Sequence, residues 1–160
     1  MLGLFKSTSF VDPQLGEFHR SRGAWYGSLK LDNAEAPVPL VISGGRDGPD
    51  AEALRIAQSV PSDYASWRPA IERELFDHYT PYREAVVAGE LDAPSSGLPP
   101  IEAPSLVWLH TILVFVQVAP ISGVLAVEIG YQVTWDEEHT LGARFRDGQL
   151  LELCGSVLAP

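Results

Sequence analysis

VEIGYQVTWDEEHTLGARFRDGQLLEL, residues 127–153, is the stretch from which the fold is read. Val127, Ile129, Tyr131, Val133 and Trp135 alternate with Glu128, Gly130, Gln132 and Thr134. Successive side chains of a strand point to opposite faces, so this alternation predicts a strand with one apolar face. Leu141, Ala143 and Phe145 alternate with Gly142, Arg144 and Arg146 and predict a second strand. Matching the two apolar faces requires an odd loop: residues 136–140 if Trp135 pairs with Leu141, or 136–138 if it pairs with His139. An even loop would turn Arg144 into the core, because a one-residue slip reverses every side chain. Asp147-Gly148 then marks a type I′ hairpin turn, which needs positive φ at both central positions. Residues 150–153 return as a third strand.

At 160 residues, 46% of them hydrophobic, the chain reads as one domain, residues 1–160, with a real core. Eleven basic against 21 acidic residues give a formal charge of −10. That argues against nucleic-acid binding, which relies on a basic face to displace counterions. It is compatible with a basic protein partner, or simply with solubility. The single cysteine, Cys154, allows no internal disulfide and points to a reducing, cytoplasmic compartment. The opening MLGLFKSTSF has no long apolar run of the signal-peptide kind. No segment approaches the ~20 apolar residues of a membrane-spanning helix, so no membrane role is expected.

Along the chain, residues 1–9 read as a loose lead-in and Asp12-Pro13 as a turn. Strands are expected at 15–20, 24–31 and 37–42, with turns at 21–23 and 32–34. Pro37 and Pro39 cannot donate to a ladder, which places 37–42 at a sheet edge. Residues 43–50, SGGRDGPD, lead into a helix, and glycine-rich loops there can cradle phosphate. The Walker spacing is absent, however. The ordinary reading is a helix start, with Pro49 in the first turn and Asp50 and Glu52 at the positive end. One helix, 51–60, should stop at Pro61, and Ser62 or Asp63 should cap a second. Trp67, Ile71, Leu75, Tyr79, Tyr82 and Val86 form its apolar stripe. Pro81 should kink or split it after Tyr79. His78 beside that kink suits a ligand or a base, but more ordinarily caps carbonyls or faces solvent. Residues 90–104 form a proline-rich internal loop. Residues 106–118 are apolar at nearly every position and read as a central strand buried on both faces, with His110 near its start. The order strands, helices, strands gives an α+β fold: a mainly antiparallel sheet of about six or seven strands with two helices on one face.

The densest chemistry is Trp135-Asp136-Glu137-Glu138-His139. Carboxylates and an imidazole at this spacing suit a divalent cation, held by His139, Asp136 and Glu138. A Glu and a His suit acid–base work if burial shifts them. Against both, a hairpin tip is exposed, and exposed carboxylates keep ordinary pKa values. Further ligands would have to come from His19, His78, His110 or Asp77, and no spacing connects these. There is no HExxH, CxxC or GxSxG, and Cys154 has no local activating partner. No cofactor is implied. The ordinary reading is a loop held by local hydrogen bonds that presents an acidic patch.

Asp12-Pro13 with Leu15-Gly16, then Gly23, Trp25 and Gly27, the SGGRDGPD loop, and Trp135 to His139 followed by Leu141-Gly142, Phe145 and Asp147-Gly148 together resemble an uncharacterised bacterial family of domains of unknown function. The resemblance runs from about Phe10 to Ser156, and WDEEHxLGxxFxDG is its most specific part. It implies a small cytoplasmic bacterial protein with an α+β fold, and it implies no reaction and no ligand set. By analogy of size and charge alone, toxin-neutralising immunity proteins also come to mind. Three expectations follow, in order. The first is a non-enzymatic module that docks a basic protein, with Asp136, Glu137 and Glu138 on the contact surface. The second is a metal-dependent hydrolase using His139 with Asp136 or Glu138 and a distant His. The third is an assembly subunit that pairs through strand 37–42 or the C-terminal strand.

Overall fold

Arg22-Gly23, Ser122-Gly123 and Asp147-Gly148 each hold positive φ at both positions, 49° and 85°, 53° and 80°, 50° and 74°. This is the two-residue type I′ geometry, whose twist matches that of the strands it joins. The expected Asp147-Gly148 turn is therefore present. The computed structural model describes residues 8–32, 34–92 and 96–160. Most of the lead-in expected at 1–9, Asn33 of the turn at 32–34, and residues 93–95 of the proline-rich loop lie outside the described residues.

In chain order the elements are β1 (Ser9–Asp12), β2 (Gly16–Ser21), β3 (Ala24–Leu29), β4 (Val38–Ser43), α1 (Ala51–Val87), a 3-10 helix (Pro104–His110), β5 (Thr111–Ile121), β6 (Val124–Val133), β7 (Asp136–Arg146) and β8 (Gln149–Cys154). The strands are ordered in the sheet as they are in the chain. The β1–β2, β2–β3, β3–β4 and β7–β8 pairs are antiparallel, and β4–β5 is parallel. Parallel neighbours need a long crossover, which here carries both helices. The class is α+β as expected, with eight strands instead of six or seven. No helix among the described residues is long and apolar enough to cross a membrane.

The chain forms two compact units, one from Met1–Ala65, Phe115–Glu128 and Pro160, the other from Ser66–Val114 and Ile129–Ala159. In the first, Phe18, Trp25, Leu40 and Ile42 are fully buried. Gly27 seats the Phe18 ring, which a Cβ at that position would approach to 2.7 Å. Asp12 is buried; its Oδ1 accepts the N–H groups of Gln14 and Leu15 at 2.9 and 2.8 Å, and its Oδ2 accepts Gln58 Nε2 of α1 at 2.9 Å. Strand β4 is not an edge strand. It pairs with β3 on one side and β5 on the other, and because the β5 ladder spans only Leu40–Ile42, Pro37 and Pro39 stay outside it. The SGGRDGPD loop closes on itself: Asp50 N–H donates to Ser43 O at 2.8 Å, and the Ser43 hydroxyl donates to Asp50 Oδ2 at 2.9 Å. Gly45 turns its carbonyl to Trp25 Nε1 and Arg20 Nε, at 3.0 and 3.1 Å. An inward carbonyl has the opposite polarity to a phosphate cradle; the loop leads into a helix as expected, but Pro49 bridges Gly44 ahead of α1 and is not in its first turn.

Where two α-helices were expected, α1 runs unbroken for 37 residues through Pro61, Pro69 and Pro81. A proline in a helix interior costs about 3 kcal/mol. The opposing term is the stripe Ala53, Ala57, Val60, Tyr64, Trp67, Ile71, Leu75 and Tyr79, all buried, with each large side chain contributing roughly 1.5–3 kcal/mol. The prolines lie off that stripe; Pro69 and Pro81 are exposed. Ser59, Ser62 and Thr80 donate their hydroxyls back to the carbonyls of Ile56, Ser59 and Phe76, bonds of the kind that let a helix bend. Gly89, at φ 77°, ends the helix: its N–H bonds Val86 O and that of Glu90 bonds Ala85 O, a Schellman closure.

Residues 104–110 wind as the 3-10 helix and do not begin the strand expected there. Trp108 ties them to α1, donating Nε1–H to Glu72 Oε2 at 2.7 Å beneath the Arg68 guanidinium, 4.5 Å from the ring centroid. Consecutive buried residues in β5 occur only at Phe115-Val116, so the strand is not buried on both faces along its length. The proline-rich loop is anchored by Tyr79, whose hydroxyl donates to Pro99 O at 2.7 Å and accepts the N–H of Ile101 at 3.2 Å.

The tight SGGRDGPD loop yields a paired test. A Cβ on Gly44 would lie 2.5 Å from Gly48 O and 2.6 Å from Pro49 Cα, both backbone atoms, whereas one on Gly45 meets nothing within 4 Å. Gly44→Ala should lose about 2 kcal/mol in urea unfolding, and Gly45→Ala should stay within roughly 0.5 kcal/mol of wild type.

Candidate functional site

The chain reverses at Thr134-Trp135, between β6 and β7, and not at residues 136–138 or 136–140. Burial of the indole explains the difference. Trp135 is 5% exposed, packs edge-on to Tyr79 with centroids 5.6 Å apart, and donates Nε1–H to His78 Nδ1 at 3.1 Å. Held on the helix, it leaves the strand for the turn, and Thr134 N–H bonds the His110 carbonyl at 3.0 Å. Leu141, Ala143 and Phe145 are buried and Arg144 and Arg146 only partly so, as the alternation predicts; Gly142 between them is buried without a side chain. Arg144 stays out of the core despite the even turn and pairs with Glu152 at 2.8 Å. A β8 bulge at Leu151 lies opposite the next step of that ladder.

Asp136 opens β7, and its side chain is only 8% exposed. His139 Nδ1 lies 2.8 Å from Oδ1 and 3.1 Å from Oδ2. The Tyr82 hydroxyl donates to Oδ2 at 3.1 Å, and His78 Nε2 lies 3.9 Å from the same oxygen. Burial pushes the Asp136 carboxyl upward, but the bonds from His139 and Tyr82 and the two imidazoles outweigh it and hold the group below its usual value. The expectation of an exposed, ordinary carboxylate is thus corrected at Asp136, while Glu137 and Glu138 are exposed as expected. Burial, the Asp136 hydrogen bond and the charges of Asp136 and Glu138 all raise the Tyr82 phenol. Burial lowers His78; Asp136 pulls it back up and His139 pushes it further down, with a net depression.

Proton positions follow from donor chemistry. An indole nitrogen only donates, so His78 Nδ1 must be the acceptor, and the ring is neutral with its proton on Nε2. A carboxylate only accepts, so His139 Nδ1 carries a proton and, in the neutral ring, Nε2 carries a lone pair on a half-exposed side chain. This arrangement anchors a turn and also presents one oriented base. It does not gather ligands: among the described residues no group of three or more His, Cys, Asp or Glu side chains is placed to hold a metal ion. The bonds converge on Asp136 itself, and Glu138 points to solvent.

Of the histidines considered as distant partners, His78 reaches Asp136. His19 stacks on Tyr26 at 5.9 Å, and His110 contributes only its carbonyl to the turn. Asp77 lines an open cleft of about 530 Å³ with Trp67, Arg73 and Glu74. Cys154 donates to Ser156 O at 3.3 Å. Tyr82 was the partner missed in the sequence. Its signal was its place four residues after His78, the spacing that puts both on one helix face.

A family model described as "Domain of unknown function (DUF6985)" matches residues 14–157. No curated protein and no solved structure matches the chain.

Removing the central acceptor strands the Tyr82 hydroxyl and the His139 ring. Asp136→Ala should cost about 2 kcal/mol near neutral pH, the scale of hydrogen bonds to a charged group. Because the folded pKa lies below the unfolded one, this stabilisation is complete above about pH 3.8 and is lost as pH falls through the folded value. Denaturant titrations of both proteins should therefore converge at the acid end.

Proposed function

This chain belongs to the DUF6985 family of domains of unknown function, and we propose that it is a non-enzymatic acidic binding module, cytoplasmic and of immunity or regulator type, that docks a basic protein through Glu137, Glu138 and His139. The observation that carries this reading is the division of the WDEEH segment. Trp135 and Asp136 face inward and are fixed to α1 by His78 and Tyr82, while the next three residues are exposed at the start of β7. An acidic edge already held in place loses little freedom on binding, which lowers the entropic cost of docking.

Charge supports the same reading. The unit that holds this edge carries twelve acidic and five basic residues, −7 of the formal −10. The last turn of α1 carries no basic residue, although the partial negative charge of a helix C-terminus favours one. A basic partner would supply the missing cations, and opposite fields would steer it into register.

The Asp136–His139 pair favours a second reading. Nδ1 is engaged and, among the described residues, Nε2 has no partner on a half-exposed ring, the orientation a general base needs. On this reading the chain is a hydrolase that works by acid–base chemistry and not through converging metal ligands.

The test is capture of a partner from extract of the native source at low and high salt. A stoichiometric basic protein should bind at low salt and release at high salt. Glu137→Lys with Glu138→Lys should weaken it roughly tenfold or more, mostly through the on-rate, and Glu17→Lys in the other unit should not. Binding indifferent to salt and to these reversals would remove the proposal. Hydrolytic turnover abolished by His139→Ala would favour the second reading.

A further inference from the structure

We propose that the Trp135–His78 hydrogen bond is a proton-operated latch, which ties the β6–β7 turn to α1 while His78 is neutral and opens when His78 takes up a proton and exchanges Trp135 for Asp136.

The geometry leaves one way for the ring to respond. At neutral pH the lone pair of Nδ1 receives the indole N–H at 3.1 Å. A second proton on His78 must go to Nδ1, since Nε2 already carries one. Two N–H donors would then face each other across that gap, and the bond is lost. On the other edge of the ring, Nε2 lies 3.9 Å from Asp136 Oδ2, too far for a hydrogen bond in the neutral state but close enough for the imidazolium to be drawn in. Asp136 is held in place by His139 and Tyr82, so it is the His78 ring that moves. Among the described residues, the charged and titratable groups that act on His78 are Asp136 and His139 on β7 and, on its own helix, Tyr82, whose ring centroid is 5.8 Å away. Of these, the Asp136 carboxylate attracts the new charge and His139 opposes it.

The site is also biased toward the closed state near neutrality. Burial holds His78 below its ordinary value of 6.5. A group whose folded pKa is depressed contributes its full stabilisation above the unfolded pKa and loses it as pH falls toward the folded one. The latch is thus shut above about pH 6.5 and yields on the acid side. Trp135 is one of the two turn residues, so release would loosen the edge that bears Glu137 and Glu138. The latch is a property of the chain alone, and only its effect on a partner rests on the binding reading.

The experiment uses the full chain, labelled with ¹⁵N and without any partner, so its outcome is independent of the binding test. Long-range ¹H–¹⁵N spectra at about pH 7.5 read the His78 tautomer. The proton should be on Nε2, and an Nδ1–H tautomer would overturn the proposal. In a titration down to about pH 5, the Trp135 indole N–H resonance, assigned by its absence in Trp135→Phe, should shift together with the His78 ring. Its protection from exchange with water, measured at each pH against the rate of a free indole, should fall roughly tenfold or more as the bond opens. A Trp135 signal that stays fixed while His78 titrates would also overturn it. His78→Gln keeps a side-chain carbonyl as acceptor but cannot titrate, so its Trp135 signal should be pH-independent over this range. The same titration persisting in His78→Gln would assign the change to another group and defeat the latch. If that variant does not fold, the wild-type tautomer and titration decide alone.

Discussion

A carboxylate withdrawn from water must be met by donors, or it costs several kcal/mol. Both compact units answer that constraint in the same way. Each has an Asp at a reversal of the chain whose carboxylate is largely withdrawn from water, Asp12 buried beside the β1–β2 turn and Asp136, its side chain 8% exposed, after the β6–β7 turn. Each takes donors from its own neighbourhood, backbone N–H groups at Asp12 and His139 at Asp136. Each also takes a donor from the α1 segment of the same unit, Gln58 for Asp12 and Tyr82 for Asp136. A buried acceptor with a fixed set of donors specifies position in a way that apolar contact alone does not. The long helix supplies the apolar stripe, and the two carboxylates determine which of its residues each turn must meet.

The legible parts of the fold were those set by local backbone chemistry. Asp147-Gly148 announced its turn because few dipeptides tolerate two consecutive positive φ angles. The stripe from Trp67 to Tyr79 announced a helix because its spacing fits nothing else. Three features were hidden because tertiary burial overrode local rules. Pro61 and Pro81 looked like breaks, but α1 runs through both, and its buried stripe continues past Pro61 and Pro69 as far as Tyr79. Residues 106–110 looked like strand, but the Trp108 indole is tied to Glu72 and Arg68 on α1. Strand β4 looked like an edge because of Pro37 and Pro39, yet its β5 ladder begins only at Leu40.

The candidate site divides in the same manner. The sequence marked WDEEH as the chemical centre and anticipated its local hydrogen bonding, and the structure forms the Asp136–His139 bond. The uniform exposure expected of the segment was wrong at Trp135 and Asp136, because the indole carries the turn onto α1 and the first carboxylate goes with it. Neighbouring residues thereby acquire opposite tasks. Trp135 and Asp136 fix the position of the edge, and Glu137, Glu138 and His139 present it.

Asp136 is the joint between β7 and α1, and a double-mutant cycle with Tyr82 probes that role. Unfolding free energies would be measured for wild type, Tyr82→Phe, Asp136→Ala and the double variant. If the hydroxyl and the carboxylate act on each other across the buried contact, the two losses will fall short of additivity by about 1 kcal/mol or more. Losses that simply add, with a coupling near zero, would mean that the turn is held by packing alone and would contradict the account.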